Sequence, residues 1–187
     1  VISADSRQVY RGLDIGTAKV TTEARQGVPH HLIDVVEVNE AYTAADFKRE
    51  AGAAIDSINS RARLPIIAGG TFFYIDTLLG KISTPEVAPN ETLRAGLEDK
   101  SPTELYEQLE ALDPVRAALI DSHNPRRLIR AIEIATALGH VPPATATECP
   151  YDVLTIGIEV GREELRSRIE ARAPKWLEDG LLEEVRG

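Results

Sequence analysis

Residues 64–79 read LPIIAGGTFFYIDTLL, and the character of the sequence changes twice within this stretch. The first part, LPIIA, is a continuous apolar run of the kind found in buried strands of parallel sheets. Gly69 and Gly70 then mark a turn, and the pattern of Phe72–Leu79 predicts a helix. A buried strand, a glycine turn and a helix in this order indicate an α/β fold with a parallel sheet.

The residues before this stretch continue the alternation of strands and helices. The short apolar run Val1–Ala4 and the β-branched run His31–Val38 are predicted strands. Thr43 is a predicted N-cap. Behind it, apolar residues recur at helical spacing and predict the buried face of a helix: Phe47, Ala51, Ala54, Ile55 and Ile58.

From about Thr84 the sequence becomes mostly helical. Prolines separate short helical patterns such as Thr103–Leu112, and PRRLIRAIEIATAL (125–138) predicts a longer helix that ends at Gly139. Leu128, Ile129, Ile132 and Ala135 are expected on its apolar side.

The last part of the chain is expected to return to the sheet. LTIGIEV (154–160) predicts a strand, and two helices are predicted after it, at 163–172 and 175–185. We therefore predict an α/β core formed by 1–83 and 153–187, with a mostly helical insertion at 84–152.

Composition limits the possible classes of protein. The net charge of −9 over 187 residues argues against a generic nucleic-acid binder, although a local basic patch remains compatible with it. No apolar run reaches the roughly 18 residues of a membrane span, and charged residues interrupt any signal-peptide pattern near Val1. The single cysteine, Cys149, cannot form an intramolecular disulfide and fits a reducing cytosol.

Two polar clusters follow predicted strands. Asp5-Ser6-Arg7-Gln8 comes after the first strand, and Gly69-Gly70-Thr71 comes after strand 64–68. Ligands of parallel α/β sheets bind at the carboxyl ends of the strands, so both clusters are candidates for one site. Asp5 could act as a general base or hold a metal-bound water, and the glycines would let a ligand approach the backbone. Alternatively, Asp5 and Thr71 only cap the helices that follow.

Two further clusters are candidates for phosphate contacts. Gly16, Thr17 and Lys19 lie in DIGTAK (14–19), which could contact phosphate or form an ordinary turn. It is not a Walker loop, because the GxxxxGK[ST] spacing occurs nowhere in the chain. Arg126 and Arg130 share a helix face that could bind a phosphodiester backbone, or could pair with Glu133 and nearby acids.

No metal site is predicted from spacing. His30 and His31 are adjacent, so their side chains diverge on a strand, and no third ligand is spaced to complete a zinc site.

ISADSRQVYRGLDIGTAK (2–19) resembles the first signature of the tRNA dimethylallyltransferases, which are also called tRNA isopentenyltransferases or the IPP transferase family. Other stretches that are similar to the family follow in the family's order: HHLID and YTAADF within 30–47, PIIAGGTFFYIDTLL (65–79), NPRRLIRAIEI (124–134), and REELRSRIEAR with GLLEEVRG within 162–187. The resemblance covers essentially the whole chain.

The resemblance implies transfer of a dimethylallyl group from dimethylallyl diphosphate to the N6 amine of adenosine 37, next to the tRNA anticodon. It implies a P-loop-NTPase-like core, an insertion that binds the anticodon stem-loop, and Asp5 as the general base. Gly16, Thr17, Lys19, Gly69 and Gly70 are expected near substrate phosphate. The positions that match tRNA contacts of the family are Asp5, Ser6, Arg7, Gln8, Thr71, Arg94, Arg126, Arg127, Leu128, Ile129 and Arg130.

The chain also departs from the family's pattern. The family's phosphate loop would precede Asp5, a later arginine-bearing segment would follow Gly187, and neither is in the sequence. We therefore expect a chain truncated at both ends that is inactive alone. Mg²⁺ and nucleotide binding, including ATP, are expected from the family, with the metal ligands outside these residues. We further expect a cytoplasmic monomer without a membrane partner.

Three alternative functions remain open. An adenylate isopentenyltransferase acting on free nucleotides would share Asp5 and the sheet, but would have less need of the insertion at 84–152. A P-loop small-molecule kinase would share the sheet, whereas the GTAK string and the arginines at 126–130 argue against it. A non-catalytic RNA-binding fragment is the third alternative.

Overall fold

The computed structural model describes residues 1–83 and 85–186. Thr84, where the insertion is predicted to begin, and Gly187, the last residue of the GLLEEVRG string, lie outside the described residues. No helix within the described ranges is long and apolar enough to cross a membrane. The elements in chain order are β1 (Ile2–Ser3), α1 (Ala44–Asn59), β2 (Ile67–Ala68), α2 (Phe72–Leu78), α3 (Glu91–Ala95), α4 (Pro102–Leu112), α5 (Pro114–Ala117), α6 (Pro125–Leu138), α7 (Arg162–Glu178) and α8 (Leu181–Arg186).

The sheet is small and parallel, as the strand–helix–strand order predicts. Ile2 pairs with Ile67 and Ser3 with Ala68, so β1 and β2 run in the same direction. On the other side of β1, the Ser3 N–H donates to the His31 carbonyl (3.0 Å). The α/β class and the P-loop-like parallel core are therefore confirmed.

The predicted strand at 31–38 is reduced to two isolated parallel bridges, between Ile2 and His31 and between Tyr10 and Val36. Leu32 and Asp34 adopt positive φ angles of 62° and 58°. A residue in this left-handed region cannot continue an extended strand. The β-branched composition predicted a segment that pairs with its neighbours, but not the positive φ angles at Leu32 and Asp34 that interrupt it.

The predicted strand at 154–160 is wrong: the structure assigns no strand there. Leu154, Ile156 and Ile158 are between 78% and 91% exposed. A β-prone sequence becomes a strand only when a neighbouring backbone accepts its ladder hydrogen bonds. Within the described residues, this segment has no such neighbour.

Helix α1 forms as its sequence predicts. The Thr43 hydroxyl accepts a hydrogen bond from the Asp46 N–H (3.2 Å), and the Asp46 carboxylate accepts one from the Thr43 N–H (3.1 Å). This reciprocal capping box fixes the start of the helix. The predicted apolar face is buried and packs with Ile2 of β1 and Tyr74 of α2. The Phe47 and Tyr74 rings stack with their centroids 4.7 Å apart.

The chain divides into two compact units, one formed by Val1–Ile82 with Ala146–Gly187 and the other by Ser83–Thr145. The second unit is helical and ends earlier than the predicted insertion, which ran to 152. It has a core of its own, built on α4, α5 and α6: Leu97, Leu105, Leu109, Ala117, Leu128, Ala131 and Ile132.

The helices near the end of the chain differ in length from their prediction. Helix α7 runs without interruption from Arg162 to Glu178 and contains Pro174, where the sequence predicted a break. Gly180, with φ 102°, separates it from α8. None of the α7 side chains is buried. A proline removes one helical hydrogen bond without necessarily ending the helix.

Candidate functional site

The structure brings the two predicted strand-end clusters together at one edge of the sheet. The Thr71 N–H donates to the Ala4 carbonyl (3.1 Å), and the Ser6 N–H donates to the Thr71 hydroxyl (3.0 Å). Because Ala4 directly follows β1 and Thr71 directly precedes α2, these bonds join the two turns directly. The Thr71 hydroxyl does not cap α2; it contacts the Ser6 side chain instead (3.3 Å).

Asp5 follows β1 and is half-buried at this edge. Its Oδ1 accepts hydrogen bonds from the Arg7 N–H (2.8 Å) and the Gln8 N–H (3.3 Å). Within the part of the chain that is described, Oδ2 accepts no hydrogen bond. One oxygen therefore fixes the carboxylate against residues 6–9, which form a turn and not the helix that the capping alternative required. The second oxygen remains available to accept a proton.

Gly69 is required by the close approach of two backbones at this edge. A Cβ built on Gly69 would lie 2.3 Å from the Ala4 carbonyl oxygen and 2.4 Å from its carbon. No side chain fits there without moving the end of β1. A Cβ on the neighbouring Gly70 would meet nothing within 4 Å, so Gly70 leaves open space beside the turn.

The loop that contains DIGTAK is held by a carboxylate from α8. Glu184 accepts hydrogen bonds from three consecutive backbone N–H groups, those of Asp14 (2.7 Å), Ile15 (2.6 Å) and Gly16 (3.0 Å). Successive N–H groups pointing into one concavity form an anion-binding nest. Burial alone would raise the pKa of Glu184, but these hydrogen bonds and nearby Lys19 lower it below its ordinary value.

Lys19 has internal partners as well. Its ammonium donates to the Tyr10 carbonyl (2.7 Å) and to the carboxylates of Asp14 and Asp34 (2.6 Å each). Only 5% of its side chain is exposed. Burial would lower the pKa of Lys19, but the hydrogen bonds to Asp14 and Asp34 raise it on balance. All three donors of the ammonium are therefore used inside the protein.

Thr17 and Gly16 likewise face the protein. The Thr17 hydroxyl donates to the Leu13 carbonyl (2.5 Å). A Cβ built on Gly16 would lie 3.0 Å from a methyl carbon of Leu181. The contacts of this loop thus match the ordinary-turn alternative, and its expected proximity to phosphate stays a prediction.

In the helical unit, two of the predicted tRNA-contacting arginines pair with one buried acid. The Glu133 side chain is 1% exposed. It accepts from Arg94 Nε (3.0 Å) and Nη2 (3.1 Å), and from Arg130 Nη1. The Asn90 N–H donates to the same carboxylate (2.6 Å), and Arg130 Nη2 donates to the Val87 carbonyl (2.9 Å). These bonds join α3 and the segment before it to α6.

The ion pairs also set the protonation of Glu133. Burial alone would raise its pKa, but the hydrogen bonds from Arg94, the Asn90 N–H and Arg130 lower the pKa below its ordinary value of 4.5. Both arginines stay about one-third exposed, at 32% and 35%. Arg94 and Arg130 therefore have structural partners, and each still reaches the surface.

The other predicted residues of α6 divide between surface and core. Arg126 and Arg127 are exposed, Ile129 is half-buried, and Leu128 is fully buried in the core of the unit. The Leu128 side chain therefore has no access to a ligand. The exposed pair at the start of the helix is the basic surface that α6 offers to a polyanion.

The residues described supply no metal centre from protein ligands. No group of three His, Cys, Asp or Glu side chains within 1–83 and 85–186 is arranged to hold an ion. Mg²⁺ binding stays a prediction.

Sequence reasoning did not single out Glu184, Asp34 or the role of the Gln8 side chain. Gln8 Nε2 donates to the carbonyls of Thr17 (3.4 Å) and Ala18 (3.3 Å), which links the Asp5 turn to the loop at 13–19. Glu133 did carry a signal, because it is a charged residue between Ile132 and Ile134 in an apolar helix. A charge among buried neighbours predicts a buried ionic partner.

The parallel sheet, the β1–α1–β2 order and the strand-end cluster define the class of α/β proteins with a P-loop-like core. The IPP transferase family model matches residues 8–187, and the chain belongs to that family.

Similar proteins share the sequence and the fold. The tRNA dimethylallyltransferase of Thermomicrobium roseum is 46% identical over 191 residues, covering 99% of this chain and 58% of the relative. The full-length tRNA isopentenylpyrophosphate transferase of Bacillus halodurans superposes with a TM-score of 0.64 at 38% identity, over 99% of this chain and 59% of that structure.

A eukaryotic dimethylallyltransferase acting on tRNA gives a TM-score of 0.77 at 30% identity, over 99% of this chain and 48% of that one. The chain spans between 58% and 63% of the length of eight curated relatives.

Proposed function

We propose that the full protein containing this chain transfers a dimethylallyl group from dimethylallyl diphosphate to the N6 amine of an adenosine next to a tRNA anticodon. The observation that carries the proposal is that the two carboxylate oxygens of Asp5 differ in their contacts. Oδ1 accepts hydrogen bonds from two backbone N–H groups, whereas Oδ2 has no partner among the described residues. Family membership and the names of the relatives support the choice of substrates.

The proposed chemistry uses Asp5 as a general base. The N6 amine is a weak nucleophile toward an allylic carbon, and it gains a positive charge as the new C–N bond forms. Asp5 Oδ2 accepts the proton that the amine loses, while the C–O bond to diphosphate breaks and the leaving group takes the electron pair. The hydrogen bonds from the Arg7 and Gln8 N–H groups to Oδ1 orient the carboxylate for this transfer.

The diphosphate needs donors of its own, because negative charge develops on it in the transition state. The N–H groups of Asp14 and Gly16 and the ammonium of Lys19 already have partners inside the protein. We propose that the donors of the full protein, together with Mg²⁺ and any bound nucleotide such as ATP, lie outside these 187 residues.

The helical unit is the proposed binding surface for the anticodon stem-loop. Arg126 and Arg127 at the start of α6 are exposed, and arginine is well shaped to bind phosphate. The net charge of −9 makes a local basic surface necessary for any tRNA binding by this part of the protein. We further propose a monomer that acts in the cytoplasm, where the single Cys149 would stay reduced.

The test of the base is Asp5→Asn in the full-length protein. Asparagine keeps the size and one acceptor oxygen but cannot take the proton. The single-turnover transfer rate should fall by about 10²–10⁴, while the affinity for tRNA stays close to that of the unchanged protein. If Asp5 only caps its turn, Asp5→Asn should keep the cap and transfer normally, whereas Asp5→Ala should lose about 1 kcal/mol of stability. A thermal melt beside the kinetics separates the two cases.

The 187 residues by themselves should show no measurable transfer. Among the described residues, the amides of the nest and the Lys19 ammonium already donate to protein groups, so they are not free to donate hydrogen bonds to the diphosphate. Removing even one such donor can cost a factor of about 10²–10³. The measurement is turnover of dimethylallyl diphosphate by the purified chain beside a full-length relative. Comparable rates would contradict this prediction.

Two other functions make different predictions for the full protein. An enzyme acting on free nucleotides should bind AMP as well as it binds tRNA, and a filter-binding comparison measures this directly. A small-molecule kinase should consume ATP in the absence of tRNA and dimethylallyl diphosphate. Retained tRNA binding with no transfer in a full-length protein would favour a non-catalytic RNA-binding role.

A further inference from the structure

Glu184 lies far from Asp5 in sequence, and a line of hydrogen bonds connects the two. Glu184 Oε2 accepts the N–H groups of both Asp14 and Ile15, and Oε1 accepts that of Gly16. All three bonds are between 2.6 and 3.0 Å long. A carboxylate that satisfies three amides holds its loop more firmly than a single contact would.

The loop has a second anchor on its other side. Lys19 ties it to Asp34 and to the Tyr10 carbonyl, and the Asp14 side chain joins the same ammonium. The Thr17 hydroxyl closes the turn onto Leu13. The carbonyls of residues 17 and 18 are thereby fixed between two sets of charged contacts.

Those two carbonyls hold the side chain of Gln8. Its Nε2 donates to both of them, and its backbone N–H donates to Asp5 Oδ1. Gln8 is therefore the residue through which the loop at 13–19 contacts the turn that orients the candidate base.

We propose that Glu184 is a positioning residue for Asp5, acting through the loop at 13–19 and the side chain of Gln8. The inference rests on the proposed function, because it assigns a role in the reaction for which Asp5 is the base. The nest of amides at 14–16 serves the protein's own carboxylate rather than a substrate phosphate. Nothing in the spacing of the sequence connects Glu184 with Asp5, so this link comes from the fold alone.

Glu184→Gln tests the link in the full-length protein. Glutamine has one acceptor oxygen and turns an NH₂ group toward an N–H of the nest, so at least one of the three bonds is lost. The exposed neighbour Glu183→Gln is the matched control, because it changes the charge of α8 equally and leaves the nest intact. We expect Glu184→Gln to lower the single-turnover rate by about 10-fold, as loss of an outer orienting partner does elsewhere, with unchanged tRNA affinity. The control should transfer normally.

The decisive measurement is the same substitution in two backgrounds, one with Asp5 intact and one carrying Asp5→Asn. If Glu184 acts through Asp5, Glu184→Gln should slow the first protein and leave the second unchanged, because the group that it positions is already gone. Equal loss in both backgrounds would overturn the inference, as would a full rate for Glu184→Gln beside a slow Asp5→Asn. A full rate for Asp5→Asn would contradict the proposed function itself.

Gln8→Ala keeps the test decisive if Glu184→Gln unfolds α8. It removes the side chain that donates to the carbonyls of the loop at 13–19, and it leaves the amides at 14–16 and Glu184 in place. Saturating tRNA in the single-turnover assay removes any effect of Gln8 on binding. A rate loss that disappears in the Asp5→Asn background supports the inference, and a full rate overturns it.

Discussion

The helix caps of the helical unit and the contacts of the candidate site in the α/β unit differ in the sequence distance between their hydrogen-bonded partners. In the helical unit, Asn90, Ser101, Asp113 and Asn124 cap their own helices through neighbours three residues away. In the α/β unit, the contacts that form the candidate site join residues 65 and 168 positions apart, as between Ser6 and Thr71 and between Gly16 and Glu184. The helix starts of the helical unit are specified by local signals, whereas the candidate site of the α/β unit depends on tertiary contacts.

Glu133 in the helical unit and Glu184 in the α/β unit each accept hydrogen bonds from several donors. Glu133 has two arginines and a backbone amide, and Glu184 has three backbone amides. Glu133 is buried within its helix, so its loss should weaken the unit itself. Glu184 lies on α8, which has no buried residue, so its loss should affect the local site more than the global stability. The difference suggests that stability and site geometry can be changed separately.

The largest expected change in stability comes from Glu133→Ala. The substitution leaves two arginines without their acid and the Asn90 N–H without its acceptor. Breaking a buried pair in this way typically costs about 3–5 kcal/mol, and the lower end applies because both arginines are partly exposed. The measurement is chemical unfolding of the full protein, with hydrogen exchange on α3 and α6 to locate the loss. Glu107→Ala, on the exposed face of α4, is the control and should be near neutral.

Acid should reproduce part of this effect. The folded-state pKa of Glu133 is lowered from its ordinary value of 4.5, so its contribution to stability is complete above that value and is lost as the pH falls through the folded-state pKa. The wild-type helical unit should therefore weaken below about pH 4, and Glu133→Ala should flatten that dependence. An unchanged pH profile in the variant would contradict the role given to Glu133.

The second largest effect is expected at Gly69 in the α/β unit. Gly69→Ala places a methyl group 2.3 Å from the Ala4 carbonyl oxygen, so β1 and the turn after β2 must separate. Forcing atoms into a closely packed site costs about 1–3 kcal/mol. Gly70→Ala is the matched control, because its Cβ meets nothing within 4 Å. Equal melting temperatures for the two variants would mean that the backbones at this edge can move apart freely.

The smallest effect separates two arginines on one helix. Arg126→Ala should reduce the salt dependence of tRNA binding by about one in slope, since one phosphate contact is lost, and should leave the melting temperature unchanged. Arg130→Ala should lower the melting temperature as well, because Arg130 holds Glu133 and the Val87 carbonyl. Binding measured from low to moderate salt, beside a melt, distinguishes them. An unchanged slope for both Arg126→Ala and Arg130→Ala would contradict the assignment of α6 to the tRNA surface.

The sequence predicted the helical unit well because its signals are local. Helix α6 begins and ends at the predicted residues, Pro125 and Leu138, because a cap and an apolar period are both read within a few turns. The same reasoning produced an incorrect strand at 154–160. Alternation shows that a segment can pair, but not whether a partner is present.

The candidate base and its neighbouring cluster were also accessible from the sequence. Asp5 and Thr71 follow predicted strands, and the topology of parallel sheets places such residues at one edge. The resemblance to a family then assigned Asp5 a specific role. The resemblance did not show whether each hydrogen-bond donor has a partner inside the protein, because the sequence is equally compatible with Lys19 and Arg130 facing a phosphate.

The sequence by itself determined the α/β class and the positions of α1, α4 and α6, and it gave Asp5 as the candidate for removing a proton. Only the tertiary structure decided which charged groups have partners inside the protein. It assigned Lys19 to Asp14 and Asp34, Arg130 to Glu133, and Glu184 to the amides of the loop at 13–19. The physical reason is that a side chain's charge is written in the sequence, whereas its partner is set by which distant residues the fold brings within about 3 Å.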